Sequence, residues 1–290
     1  YTHNMNLLQV ETDLRKAIDR NEFRVFYQPI VCLETGELKE FEALIRWEHP
    51  QYGLVSPIEF VGIAEETGLI IQIGEWILEE ACRQTKVWQK LLPFQENLSI
   101  SVNLSSKQLM HPSLISQVKN VLEKTKLDPR YLKLEVTESI VMENAETASN
   151  VLNELTSLGI SISTDDFGTG YSSLSYLHQF PFKRIKIDRS FIGKMDTDVK
   201  SEAIVRTILM LAENLGFEVV AEGIENINQL KKLQTLGCAY GQGYLFSKPV
   251  SEPDAATLLK SASTLDRIPQ QTFVFAEFKA DSVIQIESLH

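Results

Sequence analysis

The alternation of helix and strand is clearest in one stretch, residues 145–167, which reads AETASNVLNELTSLGISISTDDF. Its first part, Ala145–Leu158, is predicted to be a helix that stops at Gly159, because glycine commonly ends helices. The run Ile160–Phe167 is strand-like and finishes close to two adjacent acids. Strands that alternate with helices in this way are typical of α/β proteins with parallel sheets.

The same pattern extends from this stretch in both directions along the chain. Helices that stop at a glycine recur before Gly216 and Gly237. The predicted strands are residues 24–31, 38–47, 98–104, 131–137, 160–167, 184–188, 217–221 and 239–246. Helices follow all of these strands except the first. Eight strands over about 240 residues predict a TIM-like (β/α)8 barrel.

The first strand is the exception to parallel pairing. Only a short turn, marked by Thr35-Gly36, separates it from the second strand, so we expect this pair to be antiparallel. An open doubly wound sheet is the alternative fold. The sequence does not favour it, because no GxGxxG motif follows a strand.

Composition excludes several function classes. The net charge of −11, from 28 Lys+Arg against 39 Asp+Glu, argues against DNA binding and against contact with an anionic membrane surface. No run is long and apolar enough to predict a membrane span, and no signal peptide is visible at the start. The three cysteines are widely spaced, as expected of reduced residues in a cytoplasmic protein.

Polar residues stand at the ends of nearly all the predicted strands, where inward-facing residues are expected to be apolar. They are Glu42 and Arg46, Asn103, Glu135 and Glu138, Asp165 and Asp166, Lys186 and Asp188, Glu222 and Glu225, and Gln242. In a (β/α)8 barrel the carboxyl ends of the strands converge on one mouth. Each residue alone has a structural explanation, such as helix capping by Asp165-Asp166. Their recurrence on successive strands predicts a common site.

The expected cluster holds five carboxylates: Glu42, Glu135, Asp165, Asp166 and Glu222. Five acids in contact cannot all remain ionised without compensation. Carboxylate and amide oxygens, with no histidine or cysteine among them, suit Mg²⁺ or Mn²⁺. Because the acids exceed what one ion needs, we expect two ions, an arrangement common in displacement at phosphorus.

Nine segments in order resemble the EAL-domain family of bacterial cyclic di-GMP phosphodiesterases. They are YQPIV (27–31), EALIRW (42–47), AEETGLI (64–70), VNLS (102–105), LEVTE (134–138), DDFGTGYSS (165–173), KID (186–188), AEGIE (221–225) and GQGYLFSKP (241–249). The resemblance covers residues 7 to 262. It implies a (β/α)8 barrel with one antiparallel strand, and hydrolysis of cyclic di-GMP to linear 5′-pGpG by two-metal activation of water.

The resemblance also implies a role for each site residue. Glu42, Asn103, Glu135 and Asp165 would hold one metal ion, and Asp165, Asp166 and Glu222 the second. Lys186, Glu222 and Glu42 would be catalytic. Lys186, Arg46, Gln28 and Gln242 would bind the substrate, and Glu138 and Glu225 would brace the loop at residues 166–173.

The resemblance leads to further expectations about organisation. Residues 1–263 are predicted to form the phosphodiesterase domain, and residues 264–290 a tail of unknown role. A homodimer is expected, with a regulatory or diguanylate cyclase domain N-terminal to this segment in a longer chain. Two alternatives remain open: a cyclic di-GMP receptor that is catalytically silent or conditionally active, and a barrel enzyme for another phosphodiester or sugar phosphate.

Overall fold

Nine strands form a single sheet, eight of them closed into a barrel, in a computed structural model that describes residues 7–92, 96–169 and 179–265. The strands are β1 (Phe23–Cys32), β2 (Leu38–His49), β3 (Gly53–Val55), β4 (Ser99–Asn103), β5 (Leu132–Thr137), β6 (Ser161–Phe167), β7 (Phe182–Ile187), β8 (Glu218–Ala221) and β9 (Tyr240–Gly241). Around the barrel the order is β1-β9-β8-β7-β6-β5-β4-β2, and a β1–β2 pairing closes it. The predicted TIM-like barrel is confirmed.

Strand direction also agrees with the sequence prediction. β1 is antiparallel to both of its neighbours, β2 and β9. The pairs from β2 through β4 to β9 are parallel. The short strand β3, which was not predicted, pairs with the end of β2 as an antiparallel hairpin. The parallel strands therefore place their carboxyl ends at one mouth of the barrel.

Helices cover the outside of the barrel. They are α1 (Leu7–Ala17), α2 (Pro57–Thr67), α3 (Ile70–Leu91), α4 (Ser106–Leu109), α5 (Leu114–Thr125), α6 (Glu138–Glu143), α7 (Ala145–Ser157), α8 (Arg189–Ile192), α9 (Val199–Leu215), α10 (Ile227–Thr235) and α11 (Glu252–Leu265). A left-handed glycine, Gly216, follows α9, as its sequence predicts. No helix of the described ranges has the length and apolar character needed to cross a bilayer.

The last strand differs from its prediction. Residues 239–246 were expected to be extended, but β9 contains only Tyr240–Gly241. Beyond it the backbone pairs with Ile224 instead: the Ile224 N–H donates to the Gln242 carbonyl at 3.0 Å, and the Leu245 N–H donates to the Ile224 carbonyl at 2.9 Å. Gly243 permits this close approach, because a Cβ there would lie 2.2 Å from the Ile224 carbonyl oxygen.

A smaller apolar core lies beside the main one. The inner face of α1 packs against Phe23, Trp47 and Phe60. The Trp47 indole N–H donates to Glu22 at 2.9 Å, so its polar atom is satisfied in the buried site. This core attaches α1 to the end of β2. The predicted helix near residues 174–179 and the tail from residue 264 fall largely or wholly outside the described residues.

Candidate active site

Lys186 is the centre of a cluster of carboxylates at the mouth of the barrel. Its ammonium Nζ lies 2.6 Å from an oxygen of Glu135 and 2.7 Å from one of Glu222. Glu42 and Asp165 each approach the same nitrogen at 3.3 Å. Lys186 is only 1% exposed. The structure therefore brings together acids that lie on four strands or directly after them, as the sequence analysis predicted.

Strand alternation explains why these side chains point inward. Along β2, Phe41 and Ala43 are buried in the main apolar core, while Glu42, between them, reaches the barrel interior. Its two carboxylate oxygens accept hydrogen bonds from the side-chain amides of Asn103, at 2.7 Å, and Gln242, at 2.8 Å. Glu42 is thus held from three sides, counting the Lys186 contact.

Gln28 extends this set of contacts to the antiparallel strand. It lies opposite Glu42 in the β1–β2 register. The Gln242 amide donates to the Gln28 side-chain oxygen at 2.9 Å, and the Gln28 amide donates to the Ser247 carbonyl at 3.2 Å. Both glutamines are buried. They therefore link Glu42 to the segment that follows β9.

Burial and mutual repulsion divide the acids into two electrostatic groups. Burial, opposed only in part by Lys186, raises the pKa of Glu222 to about 8, and repulsion from Asp165 and Glu42 adds to the rise. Burial likewise raises the pKa of Glu135 well above its ordinary value. Burial also acts against Glu42, but the Lys186 charge and two amide donors lower its pKa.

Burial and neighbouring charges also shift the pKa values of Lys186 and Asp166. Burial opposes the charge of Lys186, but the surrounding acids raise its pKa well above the ordinary value. The pKa of Asp166 is raised by burial and by repulsion from Asp165 and Asp188. Lys186 is therefore a cation at neutral pH, with four carboxyl groups within 3.3 Å of its nitrogen.

The donor set fits divalent cations. Within the described ranges, one group of three acids, Asp165, Asp166 and Glu222, offers oxygens that all lie within 4.8 Å of one another. Among the described residues, two buried oxygens, Glu135 Oε1 and Asp165 Oδ1, accept no hydrogen bond, although Asp165 Oδ1 lies 3.3 Å from the Lys186 ammonium. Unpartnered buried oxygens are expected where a cation supplies the missing interaction. Glu42 and Glu135 lie outside the group of three, and both contact Lys186, as Asp165 and Glu222 do.

A cavity of about 260 Å³ opens onto this cluster. Seven of the predicted site residues line it: Gln28, Glu42, Asp165, Lys186, Glu222, Glu225 and Gln242. Sequence reasoning missed Leu44, Arg189 and Tyr244, which also line it. Tyr244 is 58% exposed, and the Lys248 ammonium lies 5.6 Å from its ring centre. The sequence signal that could have identified Tyr244 is an aromatic residue close to Gln242 near the end of the last predicted strand.

Five predicted site residues lie outside the cavity lining: Asn103, Glu135, Asp166, Arg46 and Glu138. The Arg46 guanidinium covers the Phe26 ring at 5.5 Å and donates to the Ile45 carbonyl at 2.8 Å. Glu138 is the first residue of α6, at the end of β5. The loop that Glu138 and Glu225 were predicted to brace is described only as far as Thr169. Their bracing role therefore stays a prediction.

Comparison with known proteins agrees with this geometry. The family model described as the EAL domain matches residues 11–249. The chain belongs to the EAL domain family. This EAL domain is 46% identical over 243 residues to the bifunctional diguanylate cyclase/cyclic di-GMP phosphodiesterase MucR of Pseudomonas aeruginosa, covering 84% of this chain and 35% of that protein. It is 37% identical over 243 residues to the cyclic di-GMP phosphodiesterase PdeR of Escherichia coli, covering 84% of this chain and 36% of that protein.

Solved structures show the same fold. The PaMucR phosphodiesterase in complex with c-di-GMP has a TM-score of 0.82 and 44% identity, covering 85% of this chain and 99% of that one. The EAL enzyme Bd1971, in its cAMP- and cyclic-di-GMP-bound form, has a TM-score of 0.83 and 41% identity, covering 87% of this chain and 69% of that one. The present EAL domain spans about a third of the length of the two curated relatives described above.

Proposed function

We propose that this chain hydrolyses cyclic di-GMP to linear 5′-pGpG with the help of two Mg²⁺ or Mn²⁺ ions. The observation that carries the proposal is the group of acids around Lys186 at the barrel mouth, none of which has a side chain more than 18% exposed. The proposal is also supported by the 44% identity of this chain to a phosphodiesterase solved in complex with c-di-GMP.

The acids divide naturally between two ions. Asp165, Asp166 and Glu222 would hold one, because their oxygens already lie within 4.8 Å of one another. Glu42, Asn103, Glu135 and Asp165 would hold the other, with Asp165 shared. Such ions neutralise phosphodiester charge and lower the pKa of water when they are bound.

The chain's own residues supply the remaining chemistry. Water attacks the phosphorus, the bond to the ribose 3′ oxygen breaks, and the ring opens. Lys186 stays charged and offers its ammonium where negative charge grows in the transition state. Glu222, which lies 2.7 Å from the Lys186 ammonium, accepts the proton of the attacking water, and the leaving 3′ oxygen takes a proton from solvent.

Substrate binding falls to groups around the cavity. Arg46, near the end of β2, would contact a substrate phosphate, a role suited to a guanidinium. Gln28 and Gln242 would lie beside the ligand. The side-chain oxygen of Gln242 is buried and accepts no hydrogen bond from the residues that the structure describes. We further propose that the chain acts as a homodimer in the cytoplasm, where its three free cysteines would stay reduced. We also propose that a regulatory or diguanylate cyclase domain lies N-terminal to this segment in a longer chain.

Replacement of Glu42 tests the site. Glu42→Ala should abolish pGpG formation while the circular dichroism spectrum stays that of the native chain. Glu48→Ala is the matched control, since Glu48 is an exposed acid on the same strand and pairs with Arg24. Near-native turnover by Glu42→Ala would refute the assignment. Binding of cyclic di-GMP without product by the unaltered chain would favour the receptor alternative.

A further inference from the structure

A second layer of charged residues lies inside the barrel, beneath the site. We call it the lower tier and define it as Glu40, Ser101, Lys133, Arg184, Glu218 and Tyr240. Four of the six stand two residues before a site residue on the same strand, and Tyr240 stands two residues before Gln242, which follows β9. These five therefore face the same interior one layer further from the mouth. For example, Glu40 precedes Glu42 on β2, and Arg184 precedes Lys186 on β7.

Glu40 is the hub of the lower tier. Its carboxylate accepts hydrogen bonds from the Ser101 hydroxyl and the Lys133 ammonium, and from the Arg184 guanidinium at 2.7 Å. Arg184 also donates to Glu218 at 2.8 Å and lies 5.0 Å from the Tyr240 ring centre. Glu40 and Arg184 are 1% and 2% exposed.

The Glu40–Arg184 pair spans the barrel. In the closed strand order β2 and β7 stand on opposite sides, four strands apart in either direction. The Glu42–Lys186 pair joins the same two strands one layer above. Two ion pairs of the same polarity are therefore stacked across the barrel, and neither residue of the lower pair is in the lining of the cavity at the mouth.

Stability alone does not account for the lower tier. Branched apolar residues usually fill the layers of such barrels, and replacing a buried ion network by apolar residues of similar volume is often neutral or stabilising. The lower tier is nevertheless charged and balanced, with two acids and two bases. Burial works against Glu40, but Arg184 and Lys133 lower its pKa to about 2, so it remains ionised.

We propose that Glu40 and Arg184 are positioning residues that fix the distance between β2 and β7, and thereby hold Glu42 and Lys186 in the arrangement that the reaction needs. The inference rests on the proposed function. When substrate and ions bind, Lys186 must give up some of its contacts with the carboxylates. The Glu40–Arg184 pair keeps β7, the strand of Lys186, in place during that change. An error of about 1 Å in such a group costs up to about a hundredfold in rate.

The test replaces the charged residues together, so that no buried charge is left unpaired. The variant is Glu40→Met/Lys133→Met/Arg184→Met. We expect a melting temperature within about 5 °C of the native value or above it. We also expect kcat to fall at least about tenfold with KM within about twofold, and the Mn²⁺ dissociation constant, measured by calorimetry, to rise at least about threefold.

The control is Arg83→Met, which removes an exposed ion pair with Glu80 on α3 and should change none of these quantities. A folded triple variant with native kcat and native Mn²⁺ affinity would overturn the proposal. If the triple variant does not fold, Glu40→Gln makes the same comparison with a smaller change, and native values for it would overturn the proposal equally. If the unaltered chain cleaves no cyclic di-GMP, the proposed function fails, and the Mn²⁺ measurement alone decides the positioning role.

Discussion

Replacing Lys186 by methionine should destabilise the metal-free protein, and divalent cations should reverse part of the loss. Lys186 is the cation of a cluster in which four carboxylates lie 2.6, 2.7, 3.3 and 3.3 Å from its nitrogen. None of these acid side chains is more than 18% exposed. Lys186→Met removes the ion-pair partner that these acids share among the described residues, while it keeps most of the side-chain volume.

The expected magnitude follows from burial. Removing one partner of a buried charged group costs about 3–5 kcal/mol of unfolding free energy. Mn²⁺ at a hundred times its dissociation constant adds about 2.7 kcal/mol. The gain should be larger in Lys186→Met than in the native chain, because the ammonium no longer competes with the ions for the same oxygens. Urea unfolding followed by tryptophan fluorescence, in chelator and in Mn²⁺, measures both quantities.

Lys248→Met is the matched control, since Lys248 is exposed and its ammonium lies 5.6 Å from the centre of the Tyr244 ring. Its unfolding free energy should stay within about 0.5 kcal/mol of the native value in both conditions. Native stability of Lys186→Met in chelator would refute the reasoning. Equal Mn²⁺ stabilisation of the native chain and of Lys186→Met would refute the competition between lysine and metal.

Three further outcomes are expected from unfolding measurements. Glu40→Gln should lower the free energy of unfolding by about 3 kcal/mol at pH 7, which is the equivalent of lowering the Glu40 pKa from 4.5 to about 2 on folding. Because folding lowers this pKa, the stabilisation is complete above pH 4.5 and is lost as the pH falls through 2. A difference in urea midpoint that is equal at pH 7 and pH 2 would contradict this. Trp47→Phe should cost about 1–3 kcal/mol, because Glu22 loses its buried indole donor; an unchanged melting temperature would contradict this. Gly243→Ala should weaken folding and activity together, since its Cβ would lie 2.2 Å from the Ile224 carbonyl oxygen; native turnover at native stability would show that the backbone tolerates the methyl group.

The barrel and its site were readable in the sequence for a common reason. Parallel strands put their carboxyl ends at one mouth, so polar residues at successive strand ends predict a cluster without any knowledge of distances. Glu42, Glu135, Asp165 and Glu222 meet Lys186 as that reasoning requires. The antiparallel first strand followed from the shortness of one turn.

The lower tier could not be predicted from the sequence. Alternating polar and apolar residues, as around Glu40 and Arg184, are typical of strands with one face in water. Closure of the sheet turns that face into the barrel interior, and closure depends on the pairing of β1 with β2 and β9. Sequence periodicity alone cannot separate the two environments.

The predicted length of the last strand was wrong for a different reason. The run from residue 239 to 246 has strand-like composition, but a strand needs a neighbour along its whole length. After Gly241 the backbone pairs with Ile224 in a tight connection that Gly243 permits. That connection brings Tyr244 to the cavity, which is why sequence reasoning did not include it in the site.

The central claim is metal-dependent hydrolysis of cyclic di-GMP, and chromatography of the nucleotides tests it most directly. The purified chain is incubated with cyclic di-GMP in Mg²⁺ or Mn²⁺, and in parallel with chelator. The acid cluster around Lys186 predicts linear pGpG in the presence of the ions and none in chelator. Intact cyclic di-GMP in every sample, or equal cleavage with and without ions, would contradict the account.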